Sequence, residues 1–175
     1  MVNSMIVGGV VAMTRQRVIG RGGSLPWRIP SDLERFKKIT SGRPGENHAV
    51  IMGRTTWSSL PNQFRPLPGR LNYVLSRTPA LALPGAEVHE NLESALSSCH
   101  LQSVTHAWII GGREVYSAAL ELIQILHITW VEADVEGDVR FPEYGLAEWR
   151  VVNEVKHMSE KDEHPTTYVM LERPL

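Results

Sequence analysis

The sequence predicts an α/β fold built on a mostly parallel sheet. Three observations carry that prediction. Short apolar runs without strict alternation recur along the chain, as in strands covered on both faces. Helix-forming stretches separate them. The last two extended stretches are joined by a short charged turn, which makes them an antiparallel hairpin.

Residues 6–13 read as a central strand, bounded by polar positions. A polar, Gly-rich connection over 14–24 leads into Leu25-Pro26-Trp27. Helix signals begin at Ser31 and fade at Gly42, and Ser31 followed by Glu34 reads as a capping box. Ala49-Val50-Ile51-Met52 is a strand ending in Gly53, and Arg54-Thr55-Thr56-Trp57 opens a short helix. Pro61, Pro66, Pro68 and Gly69 make a stiff surface loop. Asn72-Tyr73-Val74-Leu75 is the next strand, ending in Ser76-Arg77; Val88 marks a short strand and 92–99 a helix. Ala107-Trp108-Ile109-Ile110 is a buried strand that breaks at Gly111-Gly112, after which 114–123 continues as a helix. Residues 126–135 form a strand and 136–143 a loop. The stretches 149–158 and 166–172 are the final strands, joined by the turn 159–165. No repeat, low-complexity segment or linker divides the 175 residues, so one domain over 1–175 is expected.

Composition narrows the function classes. Hydrophobic residues are 42% and charged residues 21%, an ordinary globular balance. The net charge of −1 gives no support for binding nucleic acid or an acidic membrane. Cys99 is the only cysteine, so no intrachain disulfide forms, which suits a cytoplasmic protein. The first apolar run, 5–13, is too short to span a bilayer, and no basic segment precedes it. Residues 1–4 read as a frayed terminus, with Met5 an alternative start.

Asp32 is the most informative residue. It lies among Trp27, Ile29, Leu33 and Phe36, and on a helix it shares a face with Phe36, four residues on. A carboxyl held against apolar walls has its charged form disfavoured, which suits proton handling near neutral pH. The plainer reading is an acidic residue in the first turn, favoured by the helix dipole.

Three strands end in residues suited to phosphate. Gly53-Arg54-Thr55-Thr56, Ser76-Arg77-Thr78 and Gly111-Gly112-Arg113 each follow a strand, and the first and last open helices. In an open α/β sheet ligands bind beyond the carboxyl ends of the strands, so three such sites on one edge would suit a ligand with several phosphates. C-cap glycines and solvated arginines account equally well for each alone. Neither GxGxxG nor GxxxxGK[ST] occurs, nor GxSxG. The seven histidines show no HExxH and no paired metal spacing, so no metal centre is expected and each reads as a packing or surface residue.

Taken in order, these motifs resemble the dihydrofolate reductase family. The matching residues are Ala12, Val18-Ile19-Gly20, Leu25-Pro26-Trp27, Pro30-Ser31-Asp32-Leu33, Phe36-Lys37, Val50-Ile51-Met52-Gly53-Arg54-Thr55-Thr56-Trp57, Arg65-Pro66-Leu67-Pro68-Gly69-Arg70, Leu75-Ser76-Arg77, Ile110-Gly111-Gly112, Val115-Tyr116, Thr129, Glu136-Gly137-Asp138 and Phe141-Pro142. The resemblance implies a single-domain fold with a central, mostly parallel eight-stranded sheet, a C-terminal antiparallel hairpin and flanking helices. It implies hydride transfer from NADPH to 7,8-dihydrofolate, giving tetrahydrofolate for one-carbon metabolism. Asp32 would hydrogen-bond the pterin and promote protonation at N5, with Thr129 bonded to Asp32 and Trp27 holding a water. Val10, Leu33, Phe36, Leu60 and Ile110 would wall the pterin. Arg70 would grip the substrate's carboxylate tail, with Arg65 assisting. Ala12, Ile19 and Gly20 would lie at the nicotinamide. Arg54, Thr55, Thr56, Ser76, Arg77, Gly111, Gly112, Arg113, Glu114, Val115 and Tyr116 would hold the rest of NADPH, with a cis peptide between Gly111 and Gly112. The stretch 20–24 matches a mobile loop over the cofactor, and Gly137-Asp138 the loop that props it.

The chain also departs from the pattern. Glu114 stands where several bacterial relatives have arginine, and the 41–47 and 61–64 segments are longer than in the shortest members. The first should be a surface loop; the second borders the substrate tail. By the same resemblance a monofunctional bacterial form, without a thymidylate synthase domain, is expected. Small-molecule substrate and antifolate inhibitors are the expected partners, and a monomer the expected state. Two alternatives stay open on the residues: a reductase of the same fold acting on a ribosylated pyrimidine, and a nucleotide-binding protein without catalysis.

Overall fold

The sheet is ordered around its first strand. The protein is seen in a computed structural model that describes residues 4–174, so residues 1–3 of the expected frayed lead lie outside it. The strands are β1 (Ile6–Thr14), β2 (Val18–Gly20), β3 (His48–Gly53), β4 (Leu71–Leu75), β5 (Glu87–His89), β6 (His106–Ile109), β7 (Ile125–Val131), β8 (Val139–Arg140), β9 (Arg150–His157) and β10 (Thr166–Glu172). The helices are α1 (Pro30–Ser41), α2 (Arg54–Ser59), α3 (Leu92–Leu101) and α4 (Arg113–Ala119). Eight strands form one sheet in the order β5-β4-β3-β6-β1-β7-β10-β9, and β2 pairs with β8 beside it. All neighbours in the large sheet run parallel up to β7; β10 is antiparallel to β7 and β9. The expected α/β class, eight-strand count and terminal hairpin are therefore what the chain forms.

Each face of the sheet has its own core. On one face Val11, Met13, Ile51, Ile109 and Ile128 pack with Ala95 and Cys99 of α3 and Val115 and Ala119 of α4. On the other, Val50, Met52 and Trp108 pack with Phe36 and Ile39 of α1. This division follows from strand alternation, since neighbouring residues point to opposite faces. Ala12, Thr129 and Tyr168 lie in one register row across β1, β7 and β10. Among the described residues no helix is long and apolar enough to cross a membrane.

Several sequence expectations need correction. The connection over 14–24 contains β2, a strand too short for periodicity to reveal. Helix α4 ends at Ala119 rather than 123, although Ile123 is still buried in the core. Strand β7 ends at Val131 rather than 135. The capping box does not form. Ile29 is the N-cap residue, no side chain caps it, and Pro30 takes the first helical position. Ser31 instead donates its hydroxyl to Asp162 Oδ2 at 2.5 Å, and Asp162 Oδ1 accepts from Ser31 N at 3.1 Å. A carboxylate 131 residues away thus serves the start of this helix.

Candidate active site

The first turn of α1 lays Asp32 against the sheet. Thr129 Oγ1, from β7, donates to Asp32 Oδ1 at 2.6 Å. The Asp32 side chain is only 18% exposed. Burial raises its pKa; the Thr129 hydrogen bond and the Arg35 charge oppose that rise, and Asp162 adds to it. Asp32 does lie in the first turn, as the plainer reading has it, but burial and the Thr129 hydroxyl, more than the helix dipole, set its state.

Four of the five expected wall residues converge. Val10, Phe36, Leu60 and Ile110 pack on one cluster with Val50, Met52, Trp57 and Trp108. Leu33 is the fifth and is 58% exposed. Trp27 is buried with Ile29 and Val131, and Ala12 packs against that group. At the other end of α1, Arg70 Nη1 donates to Thr40 Oγ1 at 2.9 Å while Nε donates to the Pro68 carbonyl. Eight residues of helix separate Asp32 from Thr40, about 12 Å along the axis. Helix α1 therefore has an acid of its own at one end and, at the other, the guanidinium of Arg70 held on Thr40. Arg65 lies over the Trp57 ring and donates to Asn62 Oδ1 at 2.7 Å.

The three expected phosphate segments reach the same sheet edge. Gly53 N donates to Gly111 O at 2.8 Å, which sets the ends of β3 and β6 side by side. The Gly111–Gly112 peptide is cis, as the resemblance implied. Gly111 has φ of 119°, a backbone suited to glycine, and a Cβ there would sit 3.3 Å from the Tyr116 ring and 3.5 Å from Thr56 Oγ1. Arg54 Nη1 donates to Thr78 Oγ1 at 3.4 Å, and Thr78 N to Ser76 Oγ at 3.2 Å, so Arg54, Ser76 and the exposed Arg77 adjoin. Two guanidinium groups, several hydroxyls and a side-chain-free backbone suit an anionic dinucleotide. Thr55 is exposed beside them.

The residues opening α4 are used differently. Arg113 Nη1 donates to the Arg140 carbonyl at 3.1 Å, Glu114 is exposed, and the Val115 side chain lies in the core. Tyr116 is buried and donates to the Val10 carbonyl at 2.7 Å. Ile19 packs on the main core, and Gly20 O accepts from Asp138 N at 3.1 Å. Asp138 Oδ1 in turn accepts from Gly22 N at 3.3 Å. Gly137 must be glycine here, because a Cβ would fall 2.4 Å from both Gly20 O and Val18 Cγ1. The segment 61–64 holds a short 3-10 turn, Asn62–Phe64, and 42–46 is an exposed loop, as expected.

Two features escaped sequence reasoning. Arg35 reaches the site: Nη1 lies 3.5 Å from Thr129 Oγ1 and 4.0 Å from Asp32 Oδ1. Its three-residue spacing from Asp32 was the available signal. The second is a histidine stack at the opposite end of the strands, where Glu46, His48 and His106 offer ligand atoms within 4.8 Å of one another. Trp108 Nε1 donates to His48 Nδ1 at 2.9 Å. That bond leaves the proton of neutral His48 on Nε2, 3.3 Å from Glu46 Oε1, so Nε2 has no lone pair for a metal. Burial lowers the His48 pKa, in keeping with the neutral ring.

A family model described as Dihydrofolate reductase matches residues 6–173. The chain belongs to the dihydrofolate reductase family. It is similar to the type 3 enzyme of Salmonella typhimurium, 35% identical over 170 residues, covering 97% of this chain and 99% of that one. It is 46% identical over 127 residues to the dihydrofolate reductase of Mycobacterium leprae, 73% of each chain. The dihydrofolate reductase of Enterococcus faecalis, solved with NADP(H) and RAB-propyl, superposes with a TM-score of 0.86 at 29% identity over 97% of both chains. Family members are NADPH-dependent oxidoreductases, and the dinucleotide-suited edge described above agrees with that cofactor.

Proposed function

We infer that this chain reduces 7,8-dihydrofolate to 5,6,7,8-tetrahydrofolate with NADPH, as one domain acting as a monomer in the cytoplasm, without nucleic-acid or membrane partners. One observation carries the reading of substrate: α1 sets the buried Asp32–Thr129 pair and the fixed Arg70 at its two ends. A flat heterocycle with a carboxylate tail would set its polar ring edge at the one and its tail at the other.

Asp32 binds the amino group and adjacent ring nitrogen of the pterin. Its carboxyl raises the proton affinity of the site, so that N5 gains a proton through hydrogen bonds and a water. Thr129 fixes the carboxyl's orientation, and Trp27 holds the water. Val10, Leu33, Phe36, Leu60 and Ile110 exclude bulk water from the ring. Arg70 takes the tail carboxylate in a bidentate grip, with Arg65 assisting. Arg54, Thr55, Thr56, Ser76, Arg77, Gly111 and Gly112 would hold the cofactor, with Ala12, Ile19 and Gly20 at its nicotinamide end. Bound NADPH supplies the hydride that C6 receives. Arg113, Val115 and Tyr116 would contribute through backbone and packing more than through their side chains, which are engaged elsewhere, and the exposed carboxylate of Glu114 would contribute through its backbone.

The test is the fall in NADPH absorbance on adding dihydrofolate, run beside a ribosylated pyrimidine. Turnover of dihydrofolate alone is expected. Turnover of the pyrimidine alone, or of neither, would overturn the reading.

A further inference from the structure

A polar relay stands behind the acid. Thr129 Oγ1 spends its proton on Asp32 Oδ1 at 2.6 Å. Its lone pairs face Arg35 Nη1 at 3.5 Å, and the same nitrogen is 4.0 Å from Asp32 Oδ1. The guanidinium carbon sits 4.6 Å over the Tyr168 ring. The hydroxyl of Tyr168 meets His127 Nδ1 at 2.6 Å. Burial lowers the His127 pKa to about 4, so the ring is neutral and Tyr168 donates to it. Thr129 and Tyr168 are register partners on β7 and β10, so the sheet itself holds the platform beneath the guanidinium. Arg35 is half-buried on α1, one turn from Asp32.

These contacts give Arg35 a defined task. A hydroxyl can donate along one direction only. A cation on its acceptor side turns its proton towards Asp32 and strengthens that donation. The same cation favours the ionised carboxylate. The ring of Tyr168 holds the planar guanidinium by stacking, which a lysine ammonium does not match.

We propose that Arg35 is a positioning residue of the acid site: braced on Tyr168, it orients Thr129 towards Asp32 and supplies the positive field in which that carboxyl exchanges its proton. The proposal rests on Asp32 being the proton-handling group of a dihydrofolate reductase. Other groups face the same carboxyl or its neighbours. Asp162 approaches from the turn before β10, with His157 of β9 3.8 Å from it. Tyr116 of α4 feels Asp32, though its hydroxyl is committed to Val10 O. Arg35 is the cation among these facing groups that approaches Asp32 directly.

The experiment titrates Asp32 itself in the full-length protein. Asp residues are labelled with 13C at the carboxyl, and Asp32→Asn assigns the signal. Arg35→Met should move the Asp32 midpoint to higher pH. Arg35→Lys should return most of the shift, because charge is kept while the stacked fork is lost. Tyr168→Leu should move the midpoint in the same direction by less, and it carries the test should Arg35→Met not fold. Single-turnover NADPH oxidation across pH should shift upward in parallel, with NADPH affinity unchanged. A midpoint that stays put in folded Arg35→Met and Tyr168→Leu overturns the proposal, whatever the activity. A midpoint that moves in a protein that does not reduce dihydrofolate instead sinks the functional reading and leaves the Arg35–Asp32 coupling in place.

Discussion

Asp32 and Asp162 meet at the same helix start and end in opposite states. Asp32 belongs to α1 and faces the sheet, with the Thr129 hydroxyl as its one close side-chain donor among the described residues. Burial governs it, and its pKa rises. Asp162 comes from the turn between β9 and β10, and its side chain is only 1% exposed. Burial pushes its pKa up too, but donation from Ser31 Oγ and Ser31 N outweighs that, with His157 and Arg35 adding charge, and the net direction is down. Low exposure alone therefore does not make a proton carrier. Depth and donors decide it together: Asp32 lies deep against the sheet, where burial dominates, whereas Asp162 sits in a surface turn, covered by its partners, where burial weighs less and the donors prevail. Two donors and an adjacent histidine in a surface turn make an anchor; deep burial against the sheet, opposed by one hydroxyl and a cation 4.0 Å away, leaves a carboxyl able to change charge.

The sharpest way to break the contrast is to neutralise Asp32. Asp32→Asn should fold, bind NADPH and lose dihydrofolate reduction at neutral pH by roughly 10²–10⁴-fold, the scale of a positioned acid–base group. The defect should shrink as pH falls, because solvent then supplies protonated substrate. Single-turnover NADPH oxidation over a pH series measures this. A variant with near wild-type rate at pH 7, or a defect unchanged down to pH 5, would return Asp32 to a helix-dipole role.

The sequence made half of this contrast legible. The apolar residues around Asp32 are legible because they are its neighbours in sequence, in and just before α1, and show as spacing. Thr129 had no local signal; as a β-branched residue in a strand it was unremarkable until the family pattern singled it out. Asp162 reads from sequence only as part of a charged turn, since its partner Ser31 lies 131 positions away and no periodicity links them. For the same reason Ser31 looked like a cap for its own helix. The parallel strands were legible because each is a short continuous apolar run. Strand β2 was not, since three residues carry no period. The ends of β7 and α4 are not legible because alternation in 132–135 and apolar spacing in 120–123 continue past the regular strand and helix, where single bonds such as Glu132 N to Pro165 O and Ile123 N to Ala119 O still persist.

Removing the anchor should affect the fold more than the chemistry. Asp162→Ala deletes two hydrogen bonds to a charged acceptor and uncaps the Ser31 N–H, a loss of about 1.5–3 kcal/mol. The Asp162 pKa is lowered in the folded protein, so its contribution is full above the ordinary carboxylate range and fades as pH falls through the folded value. Urea denaturation at pH 7 and again at pH 3 should show a large gap from wild type, then a small one. Equal gaps at both would mean that packing of the turn, not the charge on Asp162, holds α1.

The smallest effect has the opposite sign and tests the comparison most directly. Because the Asp32 pKa is raised on folding, the folded state holds a proton that the unfolded chain has already released across the window between the two values. The slope of unfolding free energy with pH is then negative, and stability drains away as pH rises through the folded value. At neutral pH the native protein bears the cost of a poorly solvated carboxylate. Asparagine carries no such charge, and it still accepts the Thr129 proton through its carbonyl. Asp32→Asn should therefore be more stable than wild type at pH 7, by about 0.5–1 kcal/mol, while being far less active. The gain should vanish below the ordinary aspartate range, where both side chains are neutral. Denaturation midpoints for the two ligand-free proteins across that range decide it. A variant less stable at pH 7, or a gain that grows in acid, would mean that Asp32 is satisfied as an anion, and that the two carboxylates differ in place but not in kind.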